Sequence, residues 1–167
     1  MSYSGKISGF SLVILPVSAA IGIFAFPSPA KACSLCSCSA STSNVNFGPY
    51  QPTASAPTDA IGTVSVNCTG VIALFGSVDV AASAGASGTP SRRIMRQGQN
   101  TLEYNVYVDS ARTLPFGDGS SGSRILSASL NGLLLFGRSF AIYGRIPRNQ
   151  WARAGTYSDT VVITVRY

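Results

Sequence analysis

The sequence has no histidine, one tryptophan and few charges: only 11% of its 167 residues are Asp, Glu, Lys or Arg. Without histidine it lacks the one side chain that ordinarily titrates near neutrality, the usual general acid or base. The carboxylates, Asp59, Asp79, Glu103, Asp109, Asp118 and Asp159, are scattered along the chain. Asp109 and Asp118 could meet across a turn as an acid–base pair, but Asp118-Gly119 reads more simply as turn chemistry. No phosphate-binding loop, nucleophile elbow or metal-ligand spacing is present, so no catalytic residue, cofactor or metal is expected. The arginines spread from Arg92 to Arg166 and cluster only at Arg92, Arg93 and Arg96. That spacing describes a solvated surface and not a nucleic-acid-binding stripe. Long amphipathic helices are missing too.

The beginning of the chain is different in kind. Met1–Lys6 carries one positive charge, Ile7–Phe26 is mostly apolar, and Ala30-Lys31-Ala32 has the small-x-small form of a cleavage site. Residues 1–32 therefore read as a secretory signal peptide lying outside the fold, with the mature domain over 33–167. Ile7–Phe26 is long enough to span a bilayer, but Ser8, Ser11, Pro16, Ser18 and Gly22 weaken it as a membrane helix. Val17-Ser18-Ala19 offers a second cleavage point, near Ala20. Lys6 and Lys31 are the only lysines, so cleavage after Ala32 leaves arginine as the sole cation.

Four cysteines, Cys33, Cys36, Cys38 and Cys68, make an even count in an exported chain, which argues for disulfides. Three pairings are open. A bridge between Cys38 and Cys68 would close a loop of about 30 residues and contribute roughly 3–4 kcal/mol by loop entropy. Cys33 and Cys36 could then pair locally. A redox motif at Cys33-x-x-Cys36 lacks the preceding strand and following helix it needs, and four-thiolate zinc binding lacks paired knuckles.

Strand-like runs recur between Gly, Ser, Asn and Pro clusters: Val45–Tyr50, Ile61–Cys68, Val71–Val80, Arg92–Met95, Leu102–Val108, Ile125–Phe136, Phe140–Ile146 and Tyr157–Tyr167. Asn131-Gly132 signals a two-residue hairpin inside the sixth run. Short strands with regular turns and an export signal predict an all-β sandwich. The last run reads as one unbroken strand. Its apolar face is Tyr157, Val161, Ile163, Val165 and Tyr167.

Several stretches, in order, resemble spore coat protein U domains and the subunits of archaic chaperone–usher pili. They are Asn46-Phe47-Gly48-Pro49-Tyr50, Gly62-Thr63-Val64-Ser65-Val66-Asn67-Cys68, Arg92-Arg93-Ile94-Met95 and Leu102-Glu103-Tyr104-Asn105-Val106-Tyr107-Val108-Asp109. Gly117-Asp118-Gly119, Tyr143-Gly144-Arg145-Ile146-Pro147 with Gln150, and Ala154-Gly155-Thr156-Tyr157-Ser158-Asp159-Thr160-Val161 complete the set. The resemblance implies an immunoglobulin-like sandwich that is incomplete and is completed by a donor strand beside Tyr157–Tyr167. It places the family's disulfide on Cys38 and Cys68, with Cys33 and Cys36 as additions. It also implies export, a periplasmic chaperone, an outer-membrane usher and fellow pilus subunits as partners, and a role in surface attachment and biofilm formation. Cleavage after Ala32 would leave a subunit that accepts a strand but donates none. Cleavage near Ala20 would free Ile21–Phe26 as a donor arm. The alternatives are a stand-alone secreted coat protein and a carbohydrate-binding module that stacks glycans, or abiotic surfaces, on Trp151, Tyr143 and Phe116.

Overall fold

The computed structural model describes residues 3–6, 35–71, 76–130 and 135–167. Among the described residues it is all-β apart from a single 3-10 turn at Gly85–Ser87. The strands are β1 (Tyr3–Lys6), β2 (Leu35–Thr42), β3 (Asn46–Tyr50), β4 (Thr58–Val71), β5 (Gly76–Ala82), β6 (Arg93–Gln97) and β7 (Asn100–Tyr107). They continue with β8 (Leu126–Leu130), β9 (Leu135–Ile146), β10 (Thr156–Tyr157) and β11 (Ile163–Arg166).

The largest sheet has the order β2-β4-β9-β7-β6. Its spine is β4, which pairs antiparallel with β9 from Thr58↔Ile146 to Thr69↔Leu135 and with β2 from Leu35↔Val71 to Thr42↔Val64. Period-two alternation makes this strand. Val64, Val66 and Cys68 turn into the core, while Thr63, Ser65 and Asn67 face outward. Two three-stranded sheets, β11-β5-β8 and β10-β1-β3, bring their inner faces to the same core. Val78, Val80, Ala82 and Ile163 come from the first, and Phe47, Tyr50 and Tyr157 from the second. The result is a β-sandwich, as expected.

Cys38 and Cys68 stand directly opposite each other on β2 and β4 and are joined by a disulfide across a sequence separation of 30. Cys33 and the Cys36 side chain lie outside the described residues.

Two local expectations are corrected, before Val45 and within Tyr157–Tyr167. The segment before Val45 contains a strand, β2, whose small Ser, Cys and Ala side chains give little hydrophobic signal. Tyr3–Lys6 forms strand β1, and residues 7–32 lie outside the described residues. The hairpin turn expected at Asn131-Gly132 lies outside the described residues; of the strands on either side, β8 pairs β5, and β9 pairs β4 and β7. Lastly, Tyr157–Tyr167 is not one strand. It pairs as β10 at one end and as β11 at the other, and it changes sheet between them.

Candidate functional site

The change of sheet occurs at Asp159, an acid on the otherwise apolar odd-numbered face. Its carboxylate is buried. Oδ1 accepts from the amides of Ala86 at 3.0 Å and Thr160 at 2.8 Å, and Oδ2 accepts from the Tyr104 hydroxyl at 2.7 Å. A buried carboxylate needs donors, and those available belong to the Gly85–Ser87 turn and to β7, so the chain bends toward them. Gly85 makes the approach possible: its φ is +64°, and a Cβ there would collide with the carboxylate. Burial first, and the Asp159 carboxylate second, hold the Tyr104 phenol far above its ordinary pKa.

Beside this acid lies Arg93, which is wholly buried. This corrects the reading of Arg92, Arg93 and Arg96 as one solvated cluster. All five guanidinium N–H groups of Arg93 have acceptors. Nε and Nη2 reach the Ser83 carbonyl at 3.1 and 2.6 Å, and Nη2 also reaches that of Phe116 at 2.7 Å. Nη1 reaches the Pro90 carbonyl at 2.9 Å and Asn105 Oδ1 at 2.8 Å. Burial in this low-dielectric cage lowers its pKa from the ordinary arginine value. The cage ties β6, β7 and the segment after β5 together.

Either side of the break, the terminal segment has different neighbours. Ile163–Arg166 pairs with Asp79–Ala82 of β5 on one edge, and among the described ladders it has no partner on the other. Thr156 and Tyr157 pair in parallel with Ser4 and Gly5 of β1. β1 is in turn antiparallel to β3, with Tyr3 opposite Tyr50, Ser4 opposite Pro49 and Gly5 opposite Gly48. A slot one strand wide thus runs between β3 and β10, and Tyr3–Lys6 fills it. Its walls are anchored in the core by Tyr50 and Tyr157, both buried. The structure gives the burial of the five residues expected to form the acceptor face. Tyr157, Val161 and Ile163 are buried, and Val165 and Tyr167 pack against the core.

The hydroxyls of both wall tyrosines leave the slot and hold one loop, residues 147–155. Tyr50 Oη donates to the Pro147 carbonyl at 2.9 Å and accepts from the Gln150 amide at 2.9 Å. Tyr157 Oη donates to the Arg153 carbonyl at 2.9 Å. The Gln150 side chain docks on Glu103 like a strand neighbour, accepting from its amide at 2.7 Å and donating to its carbonyl at 2.9 Å. Sequence reading missed this loop's role because its contacts are long-range polar ones that no local pattern announces.

The other candidates separate. Asp109 accepts from the amides of Thr113 and Leu114, and Asp118 from Ser120, so each carboxylate holds its own turn. The expected glycan platform is not assembled. Phe116 is 0% exposed, Tyr143 sits half-buried on β9 with the Arg112 guanidinium 5.7 Å from its ring centroid, and Trp151 is 81% exposed on the 147–155 loop. Among the described residues no three His, Cys, Asp or Glu side chains converge as a metal site.

A family model described as the Spore Coat Protein U domain matches residues 25–164. Protein U of Myxococcus xanthus is 33% identical over 180 aligned residues, which cover 92% of this chain and 96% of that protein. The fold is similar to a chain in the crystal structure of the CsuC–CsuE chaperone–tip adhesion subunit pre-assembly complex, from archaic chaperone–usher Csu pili of Acinetobacter baumannii. That match has a TM-score of 0.52 and 22% identity, and it covers 80% of this chain and 40% of that one.

Proposed function

The chain belongs to the Spore Coat Protein U domain family, and from that premise we propose that it is an exported structural subunit of a chaperone–usher pilus or surface coat. In this reading it accepts a strand from another protein in the slot between β3 and β10. The observation that carries the reading is the filling of that slot by Tyr3–Lys6, a segment that removal of residues 1–32 takes away. The mature chain then has two wall strands with unsatisfied backbone edges and an apolar floor, and a donor strand restores the ladder. The edge of β11 that has no partner among the described ladders is a second edge to be covered. A periplasmic chaperone supplies the strand first, and at the usher a neighbouring subunit replaces it. Surface attachment and biofilm formation follow from display on the cell exterior. Cleavage after Ala32 makes the subunit an acceptor only, since β2 and Cys38 hold the new N-terminal region to the fold; cleavage near Ala20 would leave Ile21–Phe26 as a donor arm.

The test is periplasmic expression with and without a cognate chaperone. Soluble protein is expected only with it, and equal yields of soluble monomer would count against the proposal. That outcome would favour the second reading, a stand-alone coat protein. The intact mass of the exported protein fixes the cleavage point.

A further inference from the structure

The slot has an end that its wall tyrosines mark. β1 runs parallel to β10, so residues preceding Tyr3 in such an occupant head toward Gly155 and the 147–155 loop. Residues following it head toward Asp159. The loop at the first end is braced by Tyr50 and Tyr157, which pair across the slot with Tyr3 and Gly5. Slot and loop therefore form one continuous surface.

That loop, Pro147-Arg148-Asn149-Gln150-Trp151-Ala152-Arg153-Ala154-Gly155, contains two arginines and no acid. Arg148 and Arg153 are exposed, and Trp151 between them is the most exposed large hydrophobic residue described. Asn149 holds a left-handed backbone at φ 64°, and Gln150 locks the turn onto Glu103, so the tryptophan is presented from a fixed base. A rigid Trp flanked by Arg is the composition of an interface anchor, and its uniform positive charge calls for a negative partner.

We infer that the strand entering the slot is led by an acidic segment, which seats on Trp151, Arg148 and Arg153. This rests on the reading of the slot as a strand acceptor and names the chemistry of its occupant. The acidic lead gives the strand its direction: entered the other way round, it carries its acids toward Asp159 and away from the arginines.

The test uses the full chain with Gly5→Pro, which disables its own β1, or Ser4→Pro if the first variant does not accumulate. Protection of the β4–β9 amides from hydrogen exchange checks that the sandwich is folded. Two synthetic peptides are compared, each containing Tyr-Ser-Gly-Lys-Ile-Ser, one led by three glutamates and the other by three serines. The anisotropy of the single tryptophan reads binding, and exchange protection of β3 and β10 reads slot filling. The glutamate-led peptide is expected to bind about 5-fold or more tighter at low salt. The preference should vanish near 1 M salt, where the screening length falls to ~3 Å, and in the Arg148→Gln/Arg153→Gln variant. Equal affinities, or a preference that survives the arginine substitutions, overturns the inference and leaves the acceptor reading standing. If neither peptide protects β3 and β10, the acceptor reading fails and the inference falls with it.

Discussion

Strand β4 runs unbroken from Thr58 to Val71 with a neighbour on each edge, whereas the segment from Thr156 to Arg166 pairs with β1 for two residues, bridges Arg96 of β6 at Ser158, crosses between sheets, and pairs with β5 for four. Both alternate apolar and polar residues. They differ in what stands on the apolar side. In β4 that side is Val64, Val66 and Cys68; in the terminal segment Asp159 interrupts Tyr157, Val161 and Ile163. One buried carboxylate, with its donors on another element, turns a strand into a hinge between sheets. The stable half of the molecule is the one whose strands satisfy each other. The other half presents edges.

The comparison can be broken most strongly at the covalent clasp. Replacing Cys38 and Cys68 together with alanine should cost about 3–4 kcal/mol, the entropy of a 30-residue loop. Urea unfolding measures it; a loss under about 1 kcal/mol would show that the ladders of β4 suffice alone.

Asp159→Ala should come next, at about 2–3 kcal/mol, because it leaves Ala86 N–H, Thr160 N–H and the Tyr104 hydroxyl without their acceptor. Ser65→Ala, on the outward side of β4 where the hydroxyl meets Ser139, is the matched control and should cost about 0.5 kcal/mol or less. Equal effects from the two would remove the distinction drawn between the regions.

Gly144→Ala probes how tightly the unbroken sheet packs on β3. A Cβ at Gly144 would lie 2.7 Å from both Phe47 Cζ and Val45 Cγ1. Overpacking of this kind costs about 1–2 kcal/mol, read as a lower thermal midpoint. An unchanged midpoint would mean that β3 yields, as a slot wall can and a finished sheet cannot.

The smallest effect concerns pH. Asp59 on β4 is ion-paired across the sheet with Arg145 at 2.7 Å and with Arg112 at 3.4 Å. The hydrogen bond from Arg145 is the main reason its pKa lies below the ordinary 3.8. A depressed carboxylate contributes its full stability above the unfolded value and loses it as the pH falls through the folded one. The chain should therefore weaken below about pH 4, and Asp59→Asn should flatten that decline. Since the pair is partly exposed, the difference should stay under about 1 kcal/mol. An acid limb of the same slope in both proteins would show that other carboxylates dominate.

Much of this architecture could be read in advance where a strand's character resides in its own residues. β4, β7 and β9 announce themselves by period two, and the core positions of the terminal segment follow from the same rule. β2 escaped because Ser37, Ser39 and Ser41 carry no hydrophobic signal; its strand character comes from its ladder with β4. Asn131-Gly132 specifies a tight turn but not which sheets its flanking strands will join. Arg93 looked like its neighbours Arg92 and Arg96, and only the carbonyls of Ser83, Pro90 and Phe116, brought together by the fold, distinguish it. Asp159 was the one legible clue to the break, a lone acid within an apolar face. The wall tyrosines could be assigned to the core, yet the reach of their hydroxyls to the 147–155 loop depends on residues up to 100 positions away.

The disulfide has a mechanical consequence. Tension arriving along the chain ahead of Cys38 does not have to travel through β3 and the first part of β4. It crosses the sulfur–sulfur bond to Cys68 and enters the sheet there. The 30 residues so bypassed cannot be drawn out until the bond is reduced. At roughly 3.5 Å per extended residue, that withholds on the order of 100 Å of slack. A pulled molecule should lengthen in a shorter step when oxidised than when reduced. The first wall of the slot, β3, lies inside the shielded loop, while the second wall, β10, lies outside it and carries the load.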